Sequence, residues 1–389
     1  MTDMVFGAVA VHPDEPLLAR WWRTVDRWSL AAAAGLFLIG LLLAFAASVP
    51  LAERNGLWPY HYVVRQAVFG MVALGAAVVL SMLELREARR LGVLGFLGVL
   101  AALALLPVLG TDFGKGAVRW YSLGAISLQP SEFLKPVFAI FCGWLMSASS
   151  DPNGPPGRVI SLLAAALAAG LLVMQPDFGQ AALILGAWGA MYFVSGASPA
   201  LMLALAGLAV AAARLAYERS AHFASRIDGF LAAEVAENSQ LAFALDAIRS
   251  GGLFGAGVGE GVVKWRLPDA HTDFIIAVAV EEYGLAMVLG IIALLLVILL
   301  RSIRRLMRER DPFVRLAGTG LVTLLGLQAL INIGVSIRLL PAKGMTLPFV
   351  SYGGSSLLAA GATVGLLLAL TRRRPQDELT ELLASGRPG

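Results

Sequence analysis

Apolar residues fill long stretches of this chain near 27–48, 63–82, 91–108, 131–149, 159–175, 179–195, 199–216, 273–300, 313–338 and 347–371. Each is long enough to cross about 30 Å of hydrocarbon, or is a short run with room to pack inside a bundle. The pattern predicts an all-α polytopic membrane protein with ten transmembrane helices. Only the QPDFG segment separates 159–175 from 179–195. Between helices 7 and 8 lies the longest polar interval, 217–272, expected as one large extracytoplasmic loop. It joins a helix-like stretch, FLAAEVAENSQLAFALDAIRS, to a glycine-rich turn, GGLFGAGVGEG. No internal repeat is visible, which weighs against a repeat-built transporter.

Composition agrees with this reading. Of 389 residues, 58% are hydrophobic and only 14% charged, a balance that suits a membrane domain and no soluble globule. Arginine sets the orientation, because it gathers beside cytoplasmic ends. Arg20, Arg23 and Arg27, then Arg86, Arg89 and Arg90, Arg158, the arginines of RSIRRLMRER at 301–310 and Arg372 to Arg374 fall on one side. The opposite loop 49–62 holds only Arg54. Residues 1–26 and 372–389 are therefore expected as cytoplasmic tails around a membrane domain over 27–371. Segments 109–131, 217–272 and 339–346 face outward. With Asp3, Asp14 and Glu15 upstream and no small-residue cleavage site, the first apolar run reads as a retained span, not a signal peptide. The same arginines explain a pI near 9.4, and nothing points to nucleic acid.

Candidate chemistry is confined to a few polar segments. The single cysteine, Cys142, allows no intrachain disulfide, and His12, His61 and His222 are isolated, so no zinc spacing exists. In GKGAVRWYSLGAISLQPSEFLK, Lys115 and Arg119 are outer cations, Ser131 is a candidate N-cap, and Glu132 and Lys135 share a helix face. Glu132 and Lys135 can simply pair; alternatively Arg119 and Lys135 can receive a phosphate group. Asp177 in QPDFGQ is a turn carboxylate or faces the same cavity. In LPDAHTDFIIAVAVEE, Asp273 is expected to start a helix after Pro268, with His271 and Lys264 or Arg266 nearby, as a cap or as a general base. Glu281 would lie about 12 Å deeper, where it and Glu282 fit structural ion pairs better than substrate contacts. Arg338 and Lys343 add outer cations. Around Ser351, Gly353, Gly354, Ser355 and Ser356 allow close backbone packing, and Asn332 can bond a neighbouring helix.

Taken together, GAVRW at 116–120, QPSEFLK, QPDFGQ, LPDAHTDF with EEYG, and AKGMTLPFVSYGGSS at 342–356 resemble the SEDS family of shape, elongation, division and sporulation proteins. The likeness runs from about residue 27 to 371. Its LPDAHTDF and KGMTLPFVSYGGSS segments are more like the division branch than the elongation branch. The resemblance implies a ten-helix peptidoglycan glycosyltransferase that polymerises lipid II on the outer face of the bacterial inner membrane, at the division septum. Its implied partners are a class B penicillin-binding protein that crosslinks the strands and other division proteins. It places the catalytic aspartate at Asp273 and the other sensitive positions at Arg119, Trp120, Glu132 and Lys135. In the long loop the chain departs from the family pattern, with Ser239 and Gln240 followed by Phe243, Ala244 and Leu245.

The chemistry of the residues is compatible with that activity. Joining two lipid-linked disaccharides needs a base for the acceptor hydroxyl while a polyprenyl pyrophosphate leaves. Attack opposite an α-linked pyrophosphate gives a β bond in one displacement, so one carboxylate suffices. Asp273 is the candidate base, and Arg119, Lys135, Lys343 and Arg338 are candidates to stabilise the pyrophosphate. No cofactor is expected; a divalent cation is left open, without a dedicated cage. A lipid II flippase and a scaffold recruiting the transpeptidase are the competing readings. Against the flippase, the singled-out polar residues lie in the outer half.

Overall fold

Capping residues and apolar length dictate most of the helices. In the computed structural model, residues 16–112, 117–124, 126–196, 198–232, 239–267, 269–341 and 344–372 are described; Lys115, Pro268 and Lys343 and the segments 1–15 and 373–389 lie outside them. The helices in chain order are α1 (Leu17–Thr24), α2 (Arg27–Arg54), α3 (His61–Ser81), α4 (Leu85–Leu109), α5 (Pro130–Ala148), α6 (Gly157–Met174), α7 (Phe178–Val194), α8 (Pro199–Arg219), α9 (Ala221–Leu231), α10 (Gln240–Gly251), α11 (Ile275–Tyr283), α12 (Leu285–Leu306), α13 (Pro312–Ser336) and α14 (Gly354–Thr371). Strands β1 (Tyr121–Leu123) and β2 (Ile126–Leu128) form an antiparallel hairpin between α4 and α5, with Tyr121 opposite Leu128. Asp26 and Asp311 accept hydrogen bonds from the first free N–H groups of α2 and α13, and Glu84 with Glu87 closes a capping box on α4.

Eight helices, α2, α3, α4, α6, α8, α12, α13 and α14, are long and apolar enough to cross a bilayer, so the chain is an all-helical polytopic membrane protein. The two other expected spans differ. α7 is apolar but has only 17 residues, and α5 carries Glu132 and Lys135 in its first two turns.

Three expectations are corrected. The run 273–300 is not one helix: it breaks at Gly284, where φ is +78°, and Asp273 sits in a turn before α11 rather than at a helix start. A side chain at Gly284 would place its Cβ 2.3 Å from the Leu253 carbonyl oxygen, so only glycine permits the break. The run 347–371 becomes helical only at Gly354. The loop expected over 217–272 starts later, because α8 extends to Arg219, and it carries α9 as well as α10, which falls on the expected helix-like stretch. In the first two cases apolar composition continues across a backbone break, so hydropathy alone does not see it.

The centre of the molecule is built by α5, α13 and α14, with α3, α4 and α7 packed around them. α14 lies so close to α3 that a Cβ at Gly361 would meet the Ala73 carbonyl oxygen at 2.2 Å. Such contacts between small residues hold helices together where lipid is as apolar as leucine. α8 is the exception, with no buried residue.

Candidate active site

The first turn of α5 starts the polar centre. Glu132 and Lys135, three residues apart, project into the interior between α5, α7 and α13, and both are at most 5% exposed. Lys135 Nζ donates to Glu132 Oε2 at 2.7 Å and to Gln328 Oε1 at 2.7 Å. The other Glu132 oxygen accepts from Gln180 Nε2 at 2.7 Å. A buried ion pair loses several kcal/mol of hydration, and the two glutamines supply hydrogen bonds that help to replace it. Gln328 Nε2 in turn donates to the Thr346 carbonyl at 2.8 Å, carrying the network into the segment after Gly344. Ser131, expected as the cap of α5, instead lies inside its first turn, with Gln129 at the cap position.

Arg119 braces the QPDFG break from outside α7. Its Nε donates to the Gln175 carbonyl at 2.8 Å and its terminal nitrogen to the Pro176 carbonyl at 2.9 Å. Asp177 caps α7 through the Gln180 N–H and is buried. Burial pushes its carboxyl above the ordinary range, against the opposing pull of the Arg119 charge. Trp120 is half-buried and bridges backbone to Thr111.

Asp273 is half-buried in the turn ahead of α11. Three consecutive carbonyls of that turn are held from outside it. The His271 carbonyl accepts from the Tyr352 N–H at 2.9 Å, the Thr272 carbonyl from Ser351 Oγ at 2.6 Å, and the Asp273 carbonyl from Asn332 Nδ2 at 3.1 Å. The 345–352 segment that supplies two of these donors is itself gripped by Gln66 of α3, which donates to the Val350 carbonyl at 3.1 Å. The His271 ring packs in a closed triangle with Tyr62 and Tyr352, with centroids 5.4 to 6.0 Å apart. Ser355 accepts from the Gln129 N–H at 3.0 Å and donates to the Ser127 carbonyl at 3.2 Å, fixing the hairpin to the start of α14.

The remaining candidates serve elsewhere. Glu281 accepts from the Val263 N–H at 2.7 Å and the Lys264 N–H at 3.1 Å, while Glu282 pairs with the buried Lys264 and accepts from the Gly259 N–H. These two carboxylates tie the glycine-rich loop onto α11, and Lys264 is committed there rather than beside Asp273. Arg266 stacks on Phe243. Arg338 donates to the Ala232 carbonyl at 2.6 Å, at the end of α9. Among the described residues no three His, Cys, Asp or Glu side chains gather as a metal site.

The structure therefore brings Arg119, Asp177, Glu132, Lys135, Ser351 and Asp273 onto one connected polar path, and leaves Glu281, Glu282 and Arg338 off it. Sequence reading missed Gln66, Gln180 and Gln328 as links, together with the rings of Tyr62 and Tyr352. For Gln66 and Gln328 the signal was an amide inside an apolar run, and Gln180 and Tyr352 lie within the quoted motifs.

Comparison with known proteins agrees with the fold and with the motifs. A family profile described as cell cycle protein, FtsW, RodA and SpoVE, matches residues 27–376. "Probable peptidoglycan glycosyltransferase FtsW" of Caulobacter vibrioides is 42% identical over 93% of each chain. Its namesake from Halorhodospira halophila is 35% identical over 100% of this chain and 98% of its own. Among solved structures, a chain from a peptidoglycan synthase complex, described for its coordination of polymerization and crosslinking, superposes with a TM-score of 0.73 at 26% identity, over 89% of this chain and 97% of that one. The Thermus thermophilus rod shape determining protein RodA gives 0.66 at 27% identity, over 90% and 97%. The chain belongs to the FtsW, RodA and SpoVE family of cell cycle proteins.

Proposed function

We propose that the protein is a peptidoglycan glycosyltransferase of cell division that polymerises glycan strands from lipid II. Asp273 is the general base. It takes the proton of the acceptor sugar hydroxyl as that oxygen attacks the anomeric carbon of the donor, and the polyprenyl pyrophosphate leaves with the bonding electron pair. Inversion at an α-linked donor yields the β-glycosidic bond without a covalent enzyme intermediate. The observation that carries this reading is the convergence of five separated motifs on one polar path that ends at the backbone of the turn bearing Asp273.

Arg119 and Lys343 are the candidates to balance charge growing on the pyrophosphate. Arg119, Lys135 and Arg338 already hold internal partners and would have to exchange them, or use an N–H left over, to contribute. Ten spans, with α5 and α7 added to the eight apolar ones, put both termini in the cytoplasm and Asp273 on the extracytoplasmic face of the bacterial plasma membrane. In this arrangement a class B penicillin-binding protein crosslinks the product beside the polymerase.

The test is polymerisation of labelled lipid II by the purified protein with its transpeptidase partner, read as glycan length on a gel. Asp273→Ala should lower the rate by at least about 100-fold while the protein still folds and binds its partner. Undiminished polymerisation by that variant removes Asp273 from the mechanism. Lipid II crossing between leaflets in liposomes, with no polymer formed, would favour the flippase.

A further inference from the structure

The turn that bears Asp273 is not placed by its own helix, since α11 begins only at Ile275. α13 supplies the missing constraint. Asn332, 1% exposed, uses its side-chain amide nitrogen twice, toward the Asp273 carbonyl at 3.1 Å and toward the Met345 carbonyl at 2.6 Å. Asp273 and the segment after Gly344 are thereby joined through one side chain. That segment also passes beside the carboxylate itself, because a Cβ added at Gly344 would lie 3.6 Å from Asp273 Oδ2. Asn332 thus fixes both the backbone of the acid and the wall against which its carboxylate lies.

The amide orientation is determined. Turning it over would set its oxygen against two carbonyl oxygens, and in the observed orientation Asn332 Oδ1 is buried with no hydrogen-bond partner among the described residues. A leucine of similar size would fill the space without an orphaned oxygen. What the asparagine provides and the leucine lacks is the pair of donors aimed at residues 273 and 345.

We infer that Asn332 is a positioning residue for Asp273, locking the carboxylate-bearing turn to the 345–352 segment so that the base meets the acceptor hydroxyl in a reactive geometry. The inference rests on the reading of Asp273 as the base. Displacement of a reacting group by about 1 Å costs on the order of 100-fold in rate, whereas lipid II binding through its other contacts is retained.

The experiment uses the full chain with its transpeptidase partner in liposomes and measures initial polymerisation rates against lipid II concentration and pH. Asn332→Asp keeps the shape but replaces the donors with a carboxylate. Above the pH at which the introduced carboxyl ionises, which burial against two carbonyl oxygens raises, it should lower kcat by about 100-fold with KM changed less than about twofold. As pH falls through that value, the introduced carboxyl gains a proton and recovers one donor, so its activity relative to wild type should rise by about tenfold. A packing defect would not produce that pH-dependent recovery. Ser336→Ala, which removes only a bond to the Asn332 carbonyl within α13, should stay within about twofold of wild type. If Asn332→Asp does not accumulate as folded protein, Asn332→Leu takes its place, since it fills the space without either donor; the expected loss in kcat is about 100-fold at unchanged KM. Wild-type kcat in the folded variant assayed, or an Asn332→Asp ratio that is flat with pH, overturns the inference provided Asp273→Ala is inactive. Activity in Asp273→Ala would instead remove the base assignment on which it rests.

Discussion

The segment from Gly344 to Gly353 and the helix α8 solve opposite problems. The first has no regular helix, yet Met345, Leu347, Phe349, Val350 and Ser351 are all buried. The second is a regular helix of 21 residues with none buried. A helix satisfies its own backbone groups and can face lipid on every side. An irregular chain at membrane depth needs donors and acceptors from its neighbours. Hence Gln66, Gln328, Asn332 and Ser351 all reach the irregular segment or lie within it. Regularity and fixed position are separate properties in this molecule, and the proposed base is attached to the second.

The largest effect should come from the network that feeds the irregular segment. Lys135→Ala leaves the Glu132 carboxylate buried with Gln180 alone and should cost about 3–5 kcal/mol, read as loss of folded protein on heating in detergent. Glu132→Gln combined with Lys135→Met should recover most of it, because no unpaired charge remains. Next comes the contrast between identical substitutions. Leu347→Ala, at a site 1% exposed, should destabilise by about 2–4 kcal/mol. Leu203→Ala on α8, 75% exposed, should change stability by less than about 0.5 kcal/mol, and equal losses at the two sites would break the comparison.

A smaller effect belongs to the opposite end of the bundle, where Asp26 caps α2 and receives Arg301 at 2.9 Å and Arg305 at 3.3 Å. Burial raises its carboxyl pKa, but the Arg301 hydrogen bond and the two guanidinium charges outweigh this and hold it below the ordinary value. Its contribution is therefore complete above the usual aspartate range and lost as pH falls through the lower folded value. Asp26→Asn keeps a cap but loses the charge facing Arg301 and Arg305, and should cost about 1–2 kcal/mol at neutral pH and progressively less in acid, measured by thermal unfolding across pH.

Helix existence was legible because apolar length is local, whereas the caps at Asp26, Asp311 and Asp177 emerge only with the fold. The polar motifs were legible as types of chemistry. Their partners were not, since Gln66 and Val350, or Lys135 and Gln328, are far apart in the chain and meet only after the helices pack. Glu281 and Glu282 illustrate the limit in the other direction. Their place in an apolar run predicts pairing, but it cannot reveal that the partners belong to a loop already passed, at Gly259 to Lys264.

The break at Gly284 has a consequence for where charge can reside. Were α11 and α12 a single rod, Glu281 and Glu282 would share the axis of the span and the loop they anchor would follow them toward the hydrocarbon. Because the helix stops there instead, the anchoring carboxylates belong to α11 and the long apolar run to α12, and the loop stays with the short helix. A methyl group at this single site would meet the Leu253 carbonyl oxygen.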